Sequence, residues 1–551
     1  MILRAFYDLG ICTVTFDFLS FLLRAEMARR EAGAASIHMV FVPGPDDGFR
    51  AGRLGAEQSR WRLRNMLVAG CALMPSIRAI SLCATREEAA VLEETADCTF
   101  PAGYTLAADG AAAAERASIE ALFFAGIVVR HIRGEAVPEL QASAAAHRAV
   151  ADWIAAKLGG RRPVVITLRQ YGHDIGRNSV IENWAAFAQG LDPDRYAPVI
   201  VRDTDAVFSP VPEALRGLPE FEPASLDLDL RVALYEAAFL NMMVNNGPVA
   251  ICYLSPRIRY LMCKVFAVTN MGDAALNCCL YGIPLYGQVP MATEFQRLVW
   301  EDDTLDSLER SFAGMAARIE AAEADGSIAE RAQRQPIDAA AAYEIALALH
   351  RVGWVDAAVS IYHHLFGCDP DNPRIGPMLG LALYHQGRYA EARPLLEAAA
   401  QAHPGDPDIL CNLANLHRAE RRFDIAAETY EAALAREPGF AAAWLNLARV
   451  RSSLGAWQQA DDAFGRAWSL GERGPDMLRD WAAALECLGD GQAATERLLR
   501  VIDAADARVA AEEEAGMKAH AGFRNIFRDR IPYLILPEIG RDRDQRRLPN
   551  L

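Results

Sequence analysis

Residues 404–438 read PGDPDILCNLANLHRAERRFDIAAETYEAALAREP, and the prolines at the two ends lie 34 residues apart. The same interval separates Pro370 from Pro404. Three further columns keep this period: Ala346, Gly380, Ala414, Ala448 and Ala482; Ala358, Ala392, Ala426, Ala460 and Ala494; and Gly353, Gly387, Arg421, Gly455 and Gly489. Four columns that share one period predict a helical repeat array in the C-terminal third of the chain.

This period, with small residues at these offsets, resembles the tetratricopeptide repeat (TPR). Small side chains let the two helices of a repeat approach closely, and the glycine column ends the first helix, where φ is positive. The proline column follows the second helix, which proline cannot continue. Large side chains fill the space between the helices, at Tyr362, Leu396, Tyr430 and Phe464. We predict an α-solenoid of about five repeats over residues 340–502, followed by a helix and a charged tail over 503–551.

Stacked helix pairs form a curved groove that commonly holds a peptide or another protein. We therefore expect a protein or peptide partner in the groove of the repeats. The alternative is that the array packs on the rest of this chain or on a second copy, as a homo-oligomer.

The composition excludes several classes of protein. The 551 residues contain 56 Lys and Arg against 72 Asp and Glu, a formal charge of −16, so the surface does not suit a nucleic-acid backbone. No apolar stretch is long enough to predict a membrane span. The eleven cysteines include no CxxC pair, which argues against structural zinc. Unpaired thiols in apolar surroundings suggest a reducing compartment, and we expect a cytoplasmic protein.

The first 330 residues alternate predicted strands and helices, which is typical of a parallel sheet with helical crossovers. Predicted strands cover residues 3–7, 37–42, 79–83, 163–168, 196–202, 240–244, 263–268 and 283–286, and the clearest helices cover 16–31, 57–72 and 144–158. The pattern restarts near residue 160. We therefore predict an α/β part made of two doubly wound, Rossmann-like halves, 1–158 and 159–335, with a cleft between them.

Common catalytic motifs are missing from the sequence. Neither GxGxxG after a strand nor GxxxxGK[ST] occurs, which argues against a nicotinamide dehydrogenase and a P-loop nucleotidase. HExxH and GxSxG are missing as well. The first 330 residues contain four histidines, so we expect no histidine-rich metal site.

The loop 167–179 leaves a predicted buried strand and enters a helix. It carries Arg169, His173, Arg177 and Asn178, and Ser179 with Glu182 fits a capping box at the helix start. Arginines beside a helix N-terminus suit a pyrophosphate. The alternatives are that Arg169 pairs with a structural carboxylate and that His173 is an ordinary loop residue.

Two later loops are further candidates for ligand contact. Asn245, Asn246 and Gly247 follow the strand at 240–244, and glycine there lets a backbone approach a ligand. Gly272 and Asp273 open a helix in the third loop. An ordinary tight turn is the alternative for the first of these loops, and a plain cap is the alternative for Asp273.

Two such halves, arginines after the first strand of the second half, and a helix followed by Gly282-Ile283-Pro284 resemble a GT-B glycosyltransferase of the fucosyltransferase-like layout. The resemblance covers about residues 1–330. It implies a transferase that needs no metal and moves a sugar from a nucleotide-sugar co-substrate to a hydroxyl acceptor. The second half would hold the donor through the arginine, asparagine and glycine residues above, and the first half would hold the acceptor. Candidate catalytic residues are Asp8, Asp17 and His173. For the two aspartates, an ordinary cap is the alternative.

Two other functions stay open at this point. A nucleotide-sugar epimerase can share the two-halved fold, but it would need paired carboxylates and histidines in the cleft. The second alternative is a scaffold without catalytic activity, in which a degenerate transferase domain accompanies repeats that bind proteins.

Overall fold

The computed structural model describes residues 1–50, 55–107, 110–170, 175–204, 206–265, 282–283, 286–472, 474–497 and 499. The chain divides into two compact units, Met1–Ala341 and Ala342–Leu551. The finer division that the sequence suggests, at residues 158, 335, 340 and 502, stays a prediction.

The first sheet has four parallel strands in the order β3-β2-β1-β4. They are β1 (Ile2–Asp8), β2 (Ser36–Val42), β3 (Ile77–Leu82) and β4 (Cys98–Phe100), and the helices that accompany them are α1 (Phe18–Glu31), α2 (Ala56–Arg62), α3 (Arg86–Glu94), α4 (Ala111–Ala121) and α5 (Ala125–Ile132). The helix expected over 57–72 is α2, followed by a π turn at Leu63–Val68 and a 3-10 turn. The three-residue strand β4 has no counterpart among the predicted strands, because it is too short to show a period.

Among the described residues, the second sheet has five parallel strands in the order β6-β5-β7-β8-β9. They are β5 (Arg162–Thr167), β6 (Tyr196–Val201), β7 (Leu240–Val244), β8 (Tyr260–Cys263) and β9 (Gln296–Leu298). Its helices are α6 (Ala144–Leu158), α7 (Ile181–Gly190), α8 (Pro223–Leu226), α9 (Leu228–Ala237), α10 (Ala250–Leu254), α11 (Leu305–Ala324) and α12 (Ile328–Arg331). Every residue of β7 and β8 is buried, as expected for central strands covered on both faces.

Two predicted strands of this half are misplaced. The strand expected over 263–268 is β8, which ends at Cys263, because Lys264 leaves it with φ +52°. Ile283 and Tyr286, expected in the last strand, lie outside any strand, and β9 holds that place in the sheet. Pro284 and Leu285 lie outside the described residues.

The chain order reverses beside one strand in each sheet. β1 lies between β2 and β4, and β5 lies between β6 and β7. Ligands of open parallel sheets bind beyond the carboxyl ends of the strands at such a point. The loops that follow β1 and β5 are therefore the first places to look for a site.

The two sheets of the first unit are joined by direct packing. A Cβ on Gly70 would contact Leu228 at 3.5 Å, and one on Gly282 would contact Val128 at 3.4 Å. The rings of Phe124 and Tyr253 lie 5.9 Å apart.

The second unit is an α-solenoid of antiparallel helix pairs. They are α13 (Ala339–Arg351) with α14 (Val355–Cys368), α15 (Ile375–His385) with α16 (Tyr389–Ala402), α17 (Pro407–Ala419) with α18 (Phe423–Arg436), and α19 (Ala441–Ser453) with α20 (Trp457–Ser469). α21 (Pro475–Cys487) is followed by helical residues 491–497. The predicted solenoid is confirmed.

The columns of the repeat have the packing that their residue types predict. The alanines of both columns are at most 2% exposed, and the large fillers Tyr362, Leu396, Tyr430 and Phe464 are fully buried. A Cβ on Gly380 would lie 2.9 Å from the Leu396 side chain, which explains glycine at that position. Each member of the glycine column has positive φ, and Arg421 shares this conformation at +62°.

Candidate functional site

Asp8 is the last residue of β1 and is fully buried. Its Oδ1 accepts hydrogen bonds from the Gly10 backbone N–H at 2.9 Å and from Arg86 Nη1 at 3.0 Å. Its Oδ2 accepts from Arg86 Nη2 and from the Tyr104 hydroxyl, both at 2.8 Å. The paired bond to Asp8 raises the pKa of Arg86. Asp8 therefore anchors Arg86, which was not among the predicted site residues.

A cleft of about 690 Å³ opens at the carboxyl ends of β1, β2 and β3. Its walls are glycines, alanines, two prolines, Ile11 and Leu106, together with five polar residues: Asp8, Thr85, Arg86, Thr105 and Glu115. The loops after β1 and β2 meet closely here, because a Cβ on Gly44 would lie 2.7 Å from the Gly10 Cα. The first half thus has a cleft with a few polar groups at the edge where a parallel sheet binds ligands.

Asp17 lies at the start of α1 rather than in this cleft lining. Its backbone carbonyl accepts from the Ser20 N–H at 3.0 Å, and its Oδ2 accepts from the Thr15 hydroxyl at 2.8 Å. The structure therefore does not bring Asp17 and Asp8 together as lining residues of one cleft.

In the second half, the expected capping box at the start of α7 is wrong. The helix begins at Ile181, and Ser179 binds the backbone of Arg169 in both directions, through its Oγ at 2.9 Å and its N–H at 3.0 Å. The Val180 N–H at the helix start instead donates to Asp303 Oδ2 at 2.8 Å. A carboxylate from a distant segment thus compensates this helix terminus, which sequence spacing does not reveal.

Asp303 is buried and joins three elements of this half. Its Oδ2 also accepts from Trp184 Nε1 at 2.8 Å, and its Oδ1 lies 3.2 Å from Lys264 Nζ. The same ammonium donates to the Asn178 carbonyl at 3.1 Å. Lys264 follows β8, and these two contacts hold its ammonium at the carboxyl end of the sheet.

Several residues predicted to bind the nucleotide-sugar lie together at the carboxyl end of the second sheet. Arg177 Nη2 donates to the Asn245 carbonyl at 3.3 Å, which joins the loop after β5 to the loop after β7. Asn245 Nδ2 donates to the Val265 carbonyl at 2.7 Å. Arg177 is half-buried, whereas Arg169 is 8% exposed. We call Arg169, Arg177, Lys264 and the asparagines 178 and 245 the basic edge.

The neighbouring residues Asn246 and Gly247 begin a 3-10 turn at Gly247–Val249, and Asn246 is buried. The close approach at Gly247 is to a side chain of the first half, because a Cβ there would lie 2.6 Å from Cδ2 of Phe16. His173, Gly272 and Asp273 lie outside the described residues.

The residues that sequence reasoning missed are Arg86, Tyr104, Lys264 and Asp303. The signal for Arg86 was present, since Thr85 and Glu88 form the T-x-x-E box that starts α3, and the structure shows the Thr85 cap. Lys264 follows a strand whose end was predicted too late. No motif in the sequence around Asp303 predicts its place in the site.

The described residues show neither of two further kinds of site. They contain no group of three or more His, Cys, Asp or Glu arranged to hold a metal ion. Their helices include none that is long and apolar enough to cross a membrane. The described cysteines are free thiols, and the cytoplasmic location stays a prediction.

Two family models described as tetratricopeptide repeat match residues 373–416 and 411–475. This part of the chain consists of tetratricopeptide repeats. Both matches lie within the second unit.

One curated relative is the mouse protein named "Protein O-mannosyl-transferase TMTC1", which is 30% identical over 135 residues. The match covers 23% of this chain and 14% of the length of the mouse protein. The matched stretch of 135 residues is about as long as four 34-residue repeats.

Solved structures similar to this chain include the crystal structure of MamA, with 18% identity and a TM-score of 0.28, covering 30% of this chain and 97% of that one. YrrB, described as a TPR protein with an unusual peptide-binding site, has 17% identity and a TM-score of 0.26, covering 30% and 86%. A thermophilic TPR protein from Thermus thermophilus, TTC0263, has 17% identity and a TM-score of 0.27, covering 30% and 91%.

Proposed function

We propose that the chain is a glycosyltransferase of the GT-B type, which moves a sugar from a nucleotide-diphosphate donor to a hydroxyl acceptor without a metal ion. The observation that carries this proposal is the basic edge. Arg169 and Arg177 follow β5 and Lys264 follows β8, so cations from two loops lie at the carboxyl end of this sheet. Asn245, which follows β7, accepts a hydrogen bond from Arg177 beside the point where the strand order reverses. Cations placed there suit the diphosphate that leaves when the sugar is transferred.

The donor would be held by Arg169, Arg177, Asn178, Asn245, Asn246 and Gly247, together with Gly272 and Asp273. We add Lys264 to this set, because its ammonium already contacts the Asn178 carbonyl. Asp303 takes up part of the positive charge of Lys264. Arg177 is more exposed than Arg169, so it is the arginine chosen to test anion binding.

The acceptor would bind in the first half, where Asp8 and Asp17 are the candidate bases, and His173 is the catalytic candidate of the second half. Both oxygens of Asp8 already accept two hydrogen bonds each. We therefore propose that Asp8 positions Arg86 and does not act as the base.

The repeats would bind a protein partner or a protein acceptor. The mouse relative is by name a transferase that acts on proteins, which is the same broad class of enzyme. Because the match spans 14% of that protein, its activity enters here as part of the proposal alone.

The full chain incubated with UDP-, GDP- and dTDP-linked sugars tests the proposal. We expect release of the matching nucleoside diphosphate from at least one donor, and loss of that release in Arg177→Ala. An epimerase would change the sugar and keep it on the nucleotide, which nuclear magnetic resonance of the product detects. A scaffold would bind a partner and leave every donor intact.

A further inference from the structure

The cleft of the first half offers a second ligand site, and its charges identify the kind of ligand. We propose that it binds an uncharged, hydroxyl-bearing group such as a saccharide, with Glu115 accepting a hydrogen bond from a ligand hydroxyl. The assignment of this ligand as the sugar acceptor rests on the proposed function.

The positive charge in the cleft is already neutralised. Both Nη atoms of Arg86 bind the buried carboxylate of Asp8, and Nη1 also donates to the Pro43 carbonyl at 3.1 Å. A guanidinium in a two-pronged pair with a buried carboxylate contributes little net field to the space beside it. A phosphate entering the cleft would meet no uncompensated cation among its lining residues.

The start of α3, which also lines the cleft, is compensated as well. Thr85 accepts a hydrogen bond from the Glu88 N–H at 3.3 Å, and the Glu88 carboxylate accepts from the Ala84 N–H at 2.7 Å. Glu87 adds a second negative charge to this first turn. The acidic side chains therefore compensate the positive end of the helix dipole, so the start of α3 does not attract an anion.

The negative charge of Glu115 favours a neutral ligand over an anion. Glu115 is an exposed residue of α4 that lines the cleft. Within the part of the chain that the structure describes, its carboxylate has neither a hydrogen-bond nor an ion-pair partner. A carboxylate in this state repels an anion and accepts a hydrogen bond from a hydroxyl. The Thr105 hydroxyl accepts from the Ala107 N–H at 3.1 Å, so its own proton is available to a ligand oxygen.

The shape of the cleft agrees with this chemistry. Much of the lining consists of residues with small side chains, which leave room for a ligand: alanines 84, 107, 111 and 114 and glycines 10, 44 and 48. The volume of about 690 Å³ lies in the ordinary range for small-molecule sites. Apolar walls with a few polar groups suit the faces and hydroxyls of a sugar ring.

Saturation-transfer nuclear magnetic resonance on the full chain tests the inference. The probes are the methyl glycosides of glucose, mannose and N-acetylglucosamine, with UDP and inorganic phosphate measured beside them. Ala111→Trp fills the cleft from an exposed helical position that lines it, and Ala113→Trp places the same bulk two residues away, outside the lining. Glu115→Gln keeps the shape and removes the charge.

We expect at least one glycoside to bind, to lose its signal in Ala111→Trp, to keep it in Ala113→Trp, and to bind about tenfold more weakly to Glu115→Gln. The inference is overturned if no glycoside binds, if Ala111→Trp leaves glycoside binding unchanged, or if that variant loses UDP or phosphate instead. Glycoside binding to a chain that binds no nucleotide would support the cleft and contradict the transferase.

Discussion

The ring of Phe16 occupies the space that a side chain at Gly247 would need, with Cδ2 only 2.6 Å from the position of a Cβ. Phe16 follows β1 in the first half and Gly247 follows β7 in the second. The glycine is thus required by packing between the two halves, whatever its part in ligand binding.

Gly247→Ala should destabilise the first unit by about 1–3 kcal/mol, because the Phe16 ring must move to admit the methyl group. Urea unfolding of the full chain measures this. Gly314→Ala is the matched control, since that helical glycine has nothing within 4 Å of its would-be Cβ and should gain up to about 1 kcal/mol. Equal stability of Gly247→Ala and the parent would show that the ring contact is loose.

Arg421→Gly should stabilise the repeat array by about 0.5–1 kcal/mol, because arginine is held at φ +62° in a column otherwise filled by glycine. Gly387→Ala should have the opposite effect by a similar amount, since its φ is +76° and the space around it is open. Calorimetric melting compares both with Gly439→Ala, for which no positive φ is found. A lower melting temperature for Arg421→Gly would contradict the conformational explanation.

The array should lose stability in acid through a histidine pair. His350 Nε2 lies 2.8 Å from His385 Nδ1, and burial lowers the pKa of His350 to about 3 and that of His385 to about 4. Folded-state pKa values below the unfolded value favour the neutral form. Their contribution is therefore complete above about pH 6.5 and declines as the pH falls toward 4, by roughly 1.4 kcal/mol per pH unit for each histidine.

Melting of the parent and of the double variant His350→Leu, His385→Leu at pH 7 and pH 5 checks this expectation. The parent should lose more melting temperature between the two values than the double variant does. Parallel pH profiles would contradict the assignment to this pair.

Asp303→Ala should destabilise the first unit by about 3–5 kcal/mol, because it leaves the Lys264 ammonium, the Trp184 indole and the Val180 N–H without their shared acceptor. Its exposed neighbour provides the control, Asp302→Ala, which should change the unfolding free energy by less than about 0.5 kcal/mol. A small effect in chemical denaturation would mean that water replaces the carboxylate.

Periodicity in the sequence was enough to predict the repeats. Every member of the glycine column has positive φ, and the alanines of both columns are buried. Strands of five residues or more in the α/β part were placed well, with β7 predicted at its observed bounds. Short strands such as β4 and β9 escaped prediction because three residues show no period.

The candidate sites were harder to predict for a physical reason. Arg177 and Asn245 were singled out because each follows a buried strand, and the sheet brings them together. Asp303 and Glu115 reach their places from segments far away in sequence, so only the tertiary fold reveals them. Ser179 had the right spacing for a cap, yet it binds the Arg169 backbone instead.

The most direct test of a nucleotide-sugar donor at the basic edge is calorimetric titration of UDP and GDP into the full chain, with a thermal melt of each variant beside it. We expect Arg177→Ala to raise the dissociation constant of the bound nucleotide about ten- to a hundredfold with little change in melting temperature. Arg177→Lys should restore part of the affinity, because it keeps the charge and loses the planar fork. Arg195→Ala, at the amino end of the same sheet, should leave binding unchanged. Nucleotide affinity that is the same in Arg177→Ala and in the parent would contradict the account.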